Sequence, residues 1–234
     1  AGEYSVFDLL MEELQETIDE RTDNDSVYLR GEWLLISSWR LLPCLEKMIA
    51  FVRQAVPLFG GTCSRVIFPS APWCFGDYSQ LAVFHTKPGE ADREADLLGE
   101  YIGIYSKLTN GHGSGADVLF RAELAHYRGD LSEAEILAYK AGFLAESKKQ
   151  SVIQLGAALH LAEIAVEKSD FTGWQRAINS MERAASVPGQ NNLAVRGAAD
   201  MLRALLLNEL RHHERIGDWL KDGRTENQIL PAMR

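Results

Sequence analysis

The chain has 234 residues, 46% of them hydrophobic, enough to bury a sizeable core and too many for a disordered segment. Its 24 basic and 33 acidic residues leave a net charge of -9, the wrong sign for a surface that must neutralise phosphates, so direct nucleic-acid binding is not expected. The three cysteines, Cys44, Cys63 and Cys74, form no Cys-x-x-Cys pair, which removes zinc ribbons and redox dithiols and fits free thiols in a reducing, cytoplasmic compartment. No apolar run is long enough to span a membrane and no secretory leader opens the sequence, so no membrane partner is expected. The start at Ala1-Gly2, without Met, fits a piece excised from a longer protein.

In chain order, the apolar residues recur at the helical period. Val6, Leu9, Leu10, Leu14 and Ile18 make one stripe between Tyr4 and Arg21, surrounded by Glu12, Glu13, Glu16 and Glu20. Asp23-Asn24-Asp25-Ser26 ends that helix and caps the next, which Leu29, Trp33 and Ile36 mark. Pro43 fits the first turn of a third helix running to Val56. The stretch Gly60 to Pro72 is the least helical and reads as an ordered loop, because the aromatics Phe68, Trp73 and Phe75 need somewhere to pack. Helices resume over Tyr78 to His85 and Glu90 to Leu108, with Pro88-Gly89 as the turn between them. The expectation is an all-α chain in one domain: N-terminal helices over 1–59, an ordered loop over 60–76, helices over 77–110 and repeats over 111–234.

The repeats are helix pairs. Ala116 to Tyr127 pairs with Ser132 to Glu146, Ile153 to Glu167 with Thr172 to Ala185, and Leu193 to Leu210 with Glu214 to Leu220. Equivalent turns lie ~40 residues apart, the spacing of helix-pair solenoids. A small residue that lets two helices approach recurs as Ala122, Ala162 and Ala204, and one turn later come Ala125, Ala165 and Leu207. Leu131 and Phe171 fill an interfacial position after the turn, and Trp33, Trp174 and Trp219 sit at core positions. The run Tyr127-Arg128-Gly129-Asp130-Leu131-Ser132-Glu133-Ala134-Glu135 resembles the core of a tetratricopeptide repeat, with departures at Arg121, Ser169 and Trp174. Such pairs stack into a right-handed superhelix of antiparallel helix pairs.

Longer stretches carry a more specific resemblance. Pro72-Trp73-Cys74-Phe75-Gly76, Phe84-His85-Thr86-Lys87-Pro88-Gly89, Asn110-Gly111-His112-Gly113-Ser114-Gly115-Ala116, Phe120-Arg121-Ala122-Glu123 and Tyr127 to Ala141 look like the helical sensor domain of large LuxR-type, MalT-like transcriptional regulators. Gly31-Glu32-Trp33, Leu45-Glu46-Lys47-Met48 and Asp218-Trp219-Leu220 fit as well, so the likeness covers most of the chain. It implies a bacterial, signal-sensing module with a small-molecule inducer or a regulatory protein as partner, alongside ATPase and helix-turn-helix domains of the same full-length chain. Neither a phosphate loop nor a recognition-helix unit is present in this sequence. A protein–protein scaffold of the tetratricopeptide type is the alternative.

Sites of chemistry find less support. Gly111-His112-Gly113-Ser114-Gly115 follows a helix rather than a strand, which suits a helix connector with Ser114 as cap better than a phosphate cradle. Glu123-x-x-His126 and Glu209-x-x-His212 have the spacing of di-iron helices, but they fall at different places in their units, so no metal, cofactor or catalytic residue is expected. His212-His213 reads as a polar turn and His160 as a neighbour of Glu163. By analogy with superhelical repeats, Glu123, His126 and Glu163 face a concave groove, with His112 at its edge and Trp73 and Phe75 as candidate pocket aromatics. On that reading Glu123→Ala leaves the fold nearly intact, whereas Ala122→Leu costs ~1–3 kcal/mol in overpacking.

Overall fold

A computed structural model describes residues 2–21, 23–186, 193–212 and 214. Every regular element among them is helical: α1 (Gly2–Asp19), α2 (Asn24–Trp39), α3 (Leu45–Ala55), α4 (Gln80–Phe84), α5 (Ala91–Leu108), α6 (Ala116–Tyr127), α7 (Leu131–Ser147), α8 (Ser151–Glu167), α9 (Phe171–Ala185) and α10 (Leu193–Glu209). No strand occurs among the described residues, and no described helix is long and apolar enough to cross a membrane. Apart from Glu214, the expected second helix of the third pair, with Trp219, lies outside the described residues.

Helix starts follow the sequence signals. Asp23, Asp130 and Asp170 each cap a helix by accepting the backbone N–H three residues on, from Ser26, Glu133 and Gly173 at 2.9–3.0 Å. In the first two units the turn leading to the cap has a residue with left-handed backbone, Gly129 at φ +80° and Ser169 at φ +56°, so the chain folds alike where the sequence departs from glycine. Ala122, Ala162 and Ala204 are all buried, as the repeat pattern requires. Helices α6, α7, α8 and α9 each pack against the next, and α8 also touches α6 and α10.

Several expectations are corrected. Pro43 lies in the connecting turn ahead of α3, not in its first turn. Val6, Leu9 and Leu10 stay exposed, so the apolar stripe of α1 is buried only near its end, at Ile18. Phe68 and Phe171 are solvent-facing, the latter stacked on Trp174 at 6.0 Å. Gly115, not Ser114, is the N-cap of α6. It has φ +96°, and an added Cβ would come 2.8 Å from the Ala141 carbonyl oxygen, so the turn needs glycine for both space and conformation.

Two cores result. The larger gathers α2, α3, α5, α6 and the first half of α8 around Leu35, Met48, Leu98, Tyr101, Tyr105 and Phe120. The smaller lies among α8, α9 and α10 around Leu155, Leu159, Met181 and Leu202. Residues 60–90 cross the stack through a 3₁₀ turn, Trp73–Gly76, and the short α4, which packs on α6. Tyr78 reaches the smaller core, and its carbonyl oxygen would lie 2.4 Å from a Cβ added at Gly156 in the middle of α8. Two substitutions separate this contact from helix propensity. Gly99→Ala, with open space around it in α5, should raise unfolding stability by ~0.5–1 kcal/mol. Gly156→Ala should lower it despite the same gain in propensity, as read by urea denaturation.

Candidate functional site

Glu123 stands near the middle of α6 and is 3% exposed, so its carboxylate has to find donors within the protein. Residues 79–81 supply them. The backbone N–H groups of Gln80 and Leu81 donate to it at 3.1 and 2.5 Å, and the Ser79 hydroxyl donates at 3.2 Å. Two of the unsatisfied N–H groups that open α4 are thereby capped from another helix, while Ser79 Oγ accepts from Ala82 N–H. The segment Tyr78 to Phe84 thus lies against α6 and α8, where an open groove was expected. Burial raises the neighbouring Asp77 carboxyl, the Ser79 N–H opposes this, and the Glu123 charge adds to it.

Beside Glu123, α6 and α8 bring two histidines and two further carboxylates together. His160 Nδ1 lies 2.9 Å from Glu163 Oε2, and its Nε2 lies 3.4 Å from Glu123 Oε1. His126 Nε2 lies 2.7 Å from Glu167 Oε1, and its Nδ1 is 3.8 Å from Glu163 Oε2. The two rings meet edge to face at 5.8 Å. Burial alone would lower the pKa of His160, but the Glu123 and Glu163 carboxylates outweigh it and raise the pKa from 6.5 to about 10. His160 is therefore an imidazolium at neutral pH. Both of its nitrogens are buried without an aligned hydrogen bond, so the attraction is of charge rather than of directed N–H···O geometry.

The expected site residues therefore divide into two places. Glu123, His126 and Glu163 do come together, but Glu123 is a buried structural acceptor and not an exposed anchor. His112, expected at a groove edge, is fully buried in the larger core. Its ring stacks on Trp39 at 5.5 Å and meets the edge of Trp73, itself buried, at 5.5 Å. The His112 Nε2–H donates to the Ala71 carbonyl at 3.1 Å, which leaves Nδ1 to accept from the Tyr105 hydroxyl at 2.9 Å. Trp73 donates to Gln80 Oε1 at 2.7 Å and serves as core rather than as a pocket wall. Phe75 falls within the Trp73–Gly76 turn; its side chain lies outside the described residues.

Sequence reasoning set aside His160 as a simple neighbour of Glu163 and did not single out Glu167. Their signal is the helical spacing His160-x-x-Glu163 followed by Glu167, one face of α8. Also missed was a groove of about 450 Å³ among α7, α8 and α9, lined by Tyr139, Phe143, Glu146, Leu161, Arg176 and Arg183 among others. Comparison with known protein families, with curated proteins and with solved structures gives no match to this chain.

Glu123→Ala should destabilise the protein by ~3 kcal/mol or more in urea denaturation, because it strands the donors of residues 79–81 and the His160 charge. That exceeds or equals the cost of Ala122→Leu; a loss of only tenths of a kcal/mol would mean that the carboxylate does not hold this segment. His112 gives a second expectation. Burial, opposed by the Ala71 hydrogen bond, lowers its pKa from 6.5 to about 4, so between those pH values the unfolded chain binds a proton that the folded one refuses. Stability should fall by ~3 kcal/mol as pH drops from 6.5 to 4, and His112→Phe should flatten that part of the profile.

Proposed function

We propose that the chain is a binding module of stacked helix pairs, the signal-sensing part of a LuxR-type transcriptional regulator, with its ligand in the groove among α7, α8 and α9. The observation that carries this reading is the composition of that groove. Ala138, Ala157, Ala158 and Ala177 give it a flat apolar floor. Tyr139 and Phe143 stand exposed on the α7 side, and Arg176 and Arg183 on the α9 side. A concavity with an apolar floor and polar and charged groups around it can hold a small molecule. The aromatic wall suits a flat or aliphatic body, the arginines suit an anionic group, and Glu146 accepts from a hydroxyl or an amine.

The helix-pair repeat, the capped turns and the alanine positions support a tetratricopeptide-like superhelix, and the resemblance of residues 72–141 supports the regulator class. A scaffold that only docks proteins is the second reading, favoured by the exposed Val6, Leu9 and Leu10 of α1.

A thermal-shift screen of sugars, amino acids and aromatic acids, run with EDTA present, tests the proposal. A ligand that binds the folded state raises the melting temperature by mass action. Phe143→Ala and Arg183→Ala should abolish the shift while leaving the free protein's melting temperature nearly unchanged, since Phe143 is 71% exposed. No shift with any class, or a shift untouched by both substitutions, would overturn the small-molecule reading in favour of the scaffold.

A further inference from the structure

Outside that groove, the paired helices α6 and α8 hold a constellation that no structural role accounts for in full. Glu123 accepts from residues 79–81 and also faces His160, but His126, His160 and Glu163 make no contact of their own with that segment's donors. One ligand atom from each of the three lies within 4.8 Å of the others. The two histidines are arranged alike. Each turns Nδ1 toward Glu163 Oε2, at 3.8 Å for His126 and 2.9 Å for His160. Each turns Nε2 toward a different carboxylate, Glu167 Oε1 at 2.7 Å and Glu123 Oε1 at 3.4 Å.

The consequence follows from imidazole chemistry. A carboxylate only accepts, so the Nε2–H of His126 donates to Glu167 and a neutral ring keeps its Nδ1 lone pair, facing Glu163. His160 has both nitrogens buried and neither in an aligned hydrogen bond, so this ring lacks a directed partner on either side. Imidazoles that ligate a metal through one nitrogen while the other donates to a carboxylate are the usual supported form of a histidine ligand. In a tetrahedral zinc site, bonds of ~2.0–2.2 Å set neighbouring ligand atoms ~3.4 Å apart. The Glu163-to-histidine distances here, 2.9 and 3.8 Å, bracket that separation.

We propose that His126 Nδ1, His160 Nδ1 and a Glu163 carboxylate oxygen form a binding site for a divalent transition-metal ion, zinc in the first place, with Glu167 as the outer-shell acceptor behind His126 and the Glu123 charge 3.4 Å from His160 Nε2. Two imidazoles and one carboxylate suit ions of borderline softness, and solvent fills the fourth position. The three side chains are 14–22% exposed, which leaves a path for the ion to enter. The ion ties the last turns of α6 to α8 and so joins two neighbouring helix pairs. This site is separate from the α7–α9 groove and does not depend on its occupant.

The test uses the whole chain, freed of metal by a chelator and dialysed, then titrated calorimetrically with zinc chloride. The expected result is one ion per chain with Kd below about 1 μM and a melting temperature raised by several degrees. Cobalt(II) at the same site should give the visible absorption of four-coordinate geometry. Two substitutions at partly exposed residues keep the fold, as circular dichroism checks. His126→Ala should weaken binding at least ~100-fold, and Glu167→Ala, which touches only the outer shell, by ~10–100-fold. Stoichiometric binding that survives His126→Ala, or that disappears in His212→Ala instead, would overturn the assignment. So would the absence of a 1:1 heat with zinc, or a cobalt spectrum of purely octahedral type.

Discussion

A buried carboxylate in search of donors governs this molecule. Helices consume their own amides, so a charged group sunk between two of them can be satisfied only by chain that is not regular helix. The long connector from residue 60 to residue 90 supplies that chain. Glu123 accepts from residues 79–81. The same device appears twice more: Glu94 accepts from Thr86 and Lys87 N–H and from the Thr86 hydroxyl, and Glu32 from Tyr28, Ser64 and Arg65. Gln150 adds a neutral version, accepting from Gly113 N–H at 2.8 Å and donating to the Pro69 carbonyl. A connector that would otherwise be a solvated loop is thereby part of the packed structure, tied along its length to side chains on α2, α5, α6 and the start of α8.

Much of the fold was legible because local rules decide it. The 3.6-residue period placed α6 over Ala116–Tyr127 and the starts of α5, α7 and α9 within one residue, and the Asp23–Ser26 stretch marked where α2 begins. What failed was the inference from one repeat to the next. Glu123 and Glu163 hold equivalent positions in sequence, yet Glu123 is 3% exposed and the Glu163 side chain 22%. The difference comes from Tyr78 to Phe84 lying over one unit, with donors at Gln80 and Leu81 that are 43 and 42 residues from Glu123 in the chain. No periodicity reports a contact of that range. Two residues did hint at it: Gly156 in the middle of an apolar helix signals a close backbone approach, and a lone Glu123 amid Phe120, Ala122, Leu124 and Ala125 signals a buried acceptor.

Helix α8 shows how one element serves two surfaces. It is apolar nearly all round, as a helix enclosed by neighbours must be. Its polar residues are few and are concentrated where packing is incomplete: Gln154 beside the α7–α9 groove, and His160, Glu163 and Glu167 toward α6. The glycine-rich turn before α6 is explained by space. At Gly111, Gly113 and Gly115 an added Cβ would come within 2.9 Å of Lys148, Trp73 and the Ala141 carbonyl, and all three have positive φ. The turn is a helix connector, as its sequence suggests, and sterics account for its glycines.

The capping of α4 by another helix changes how that short element breathes. Five residues of helix cannot sustain themselves in water, where nucleation costs more than so few hydrogen bonds return. Left to itself such a turn frays with an opening free energy near zero, and its amide hydrogens exchange with solvent almost freely. Here the Gln80 and Leu81 amides are bonded to a carboxylate in the middle of α6, so they are released only when that carboxylate is exposed. Their exchange then follows the opening of the packing around Glu123, and the weakest helix by length shares the protection of α6.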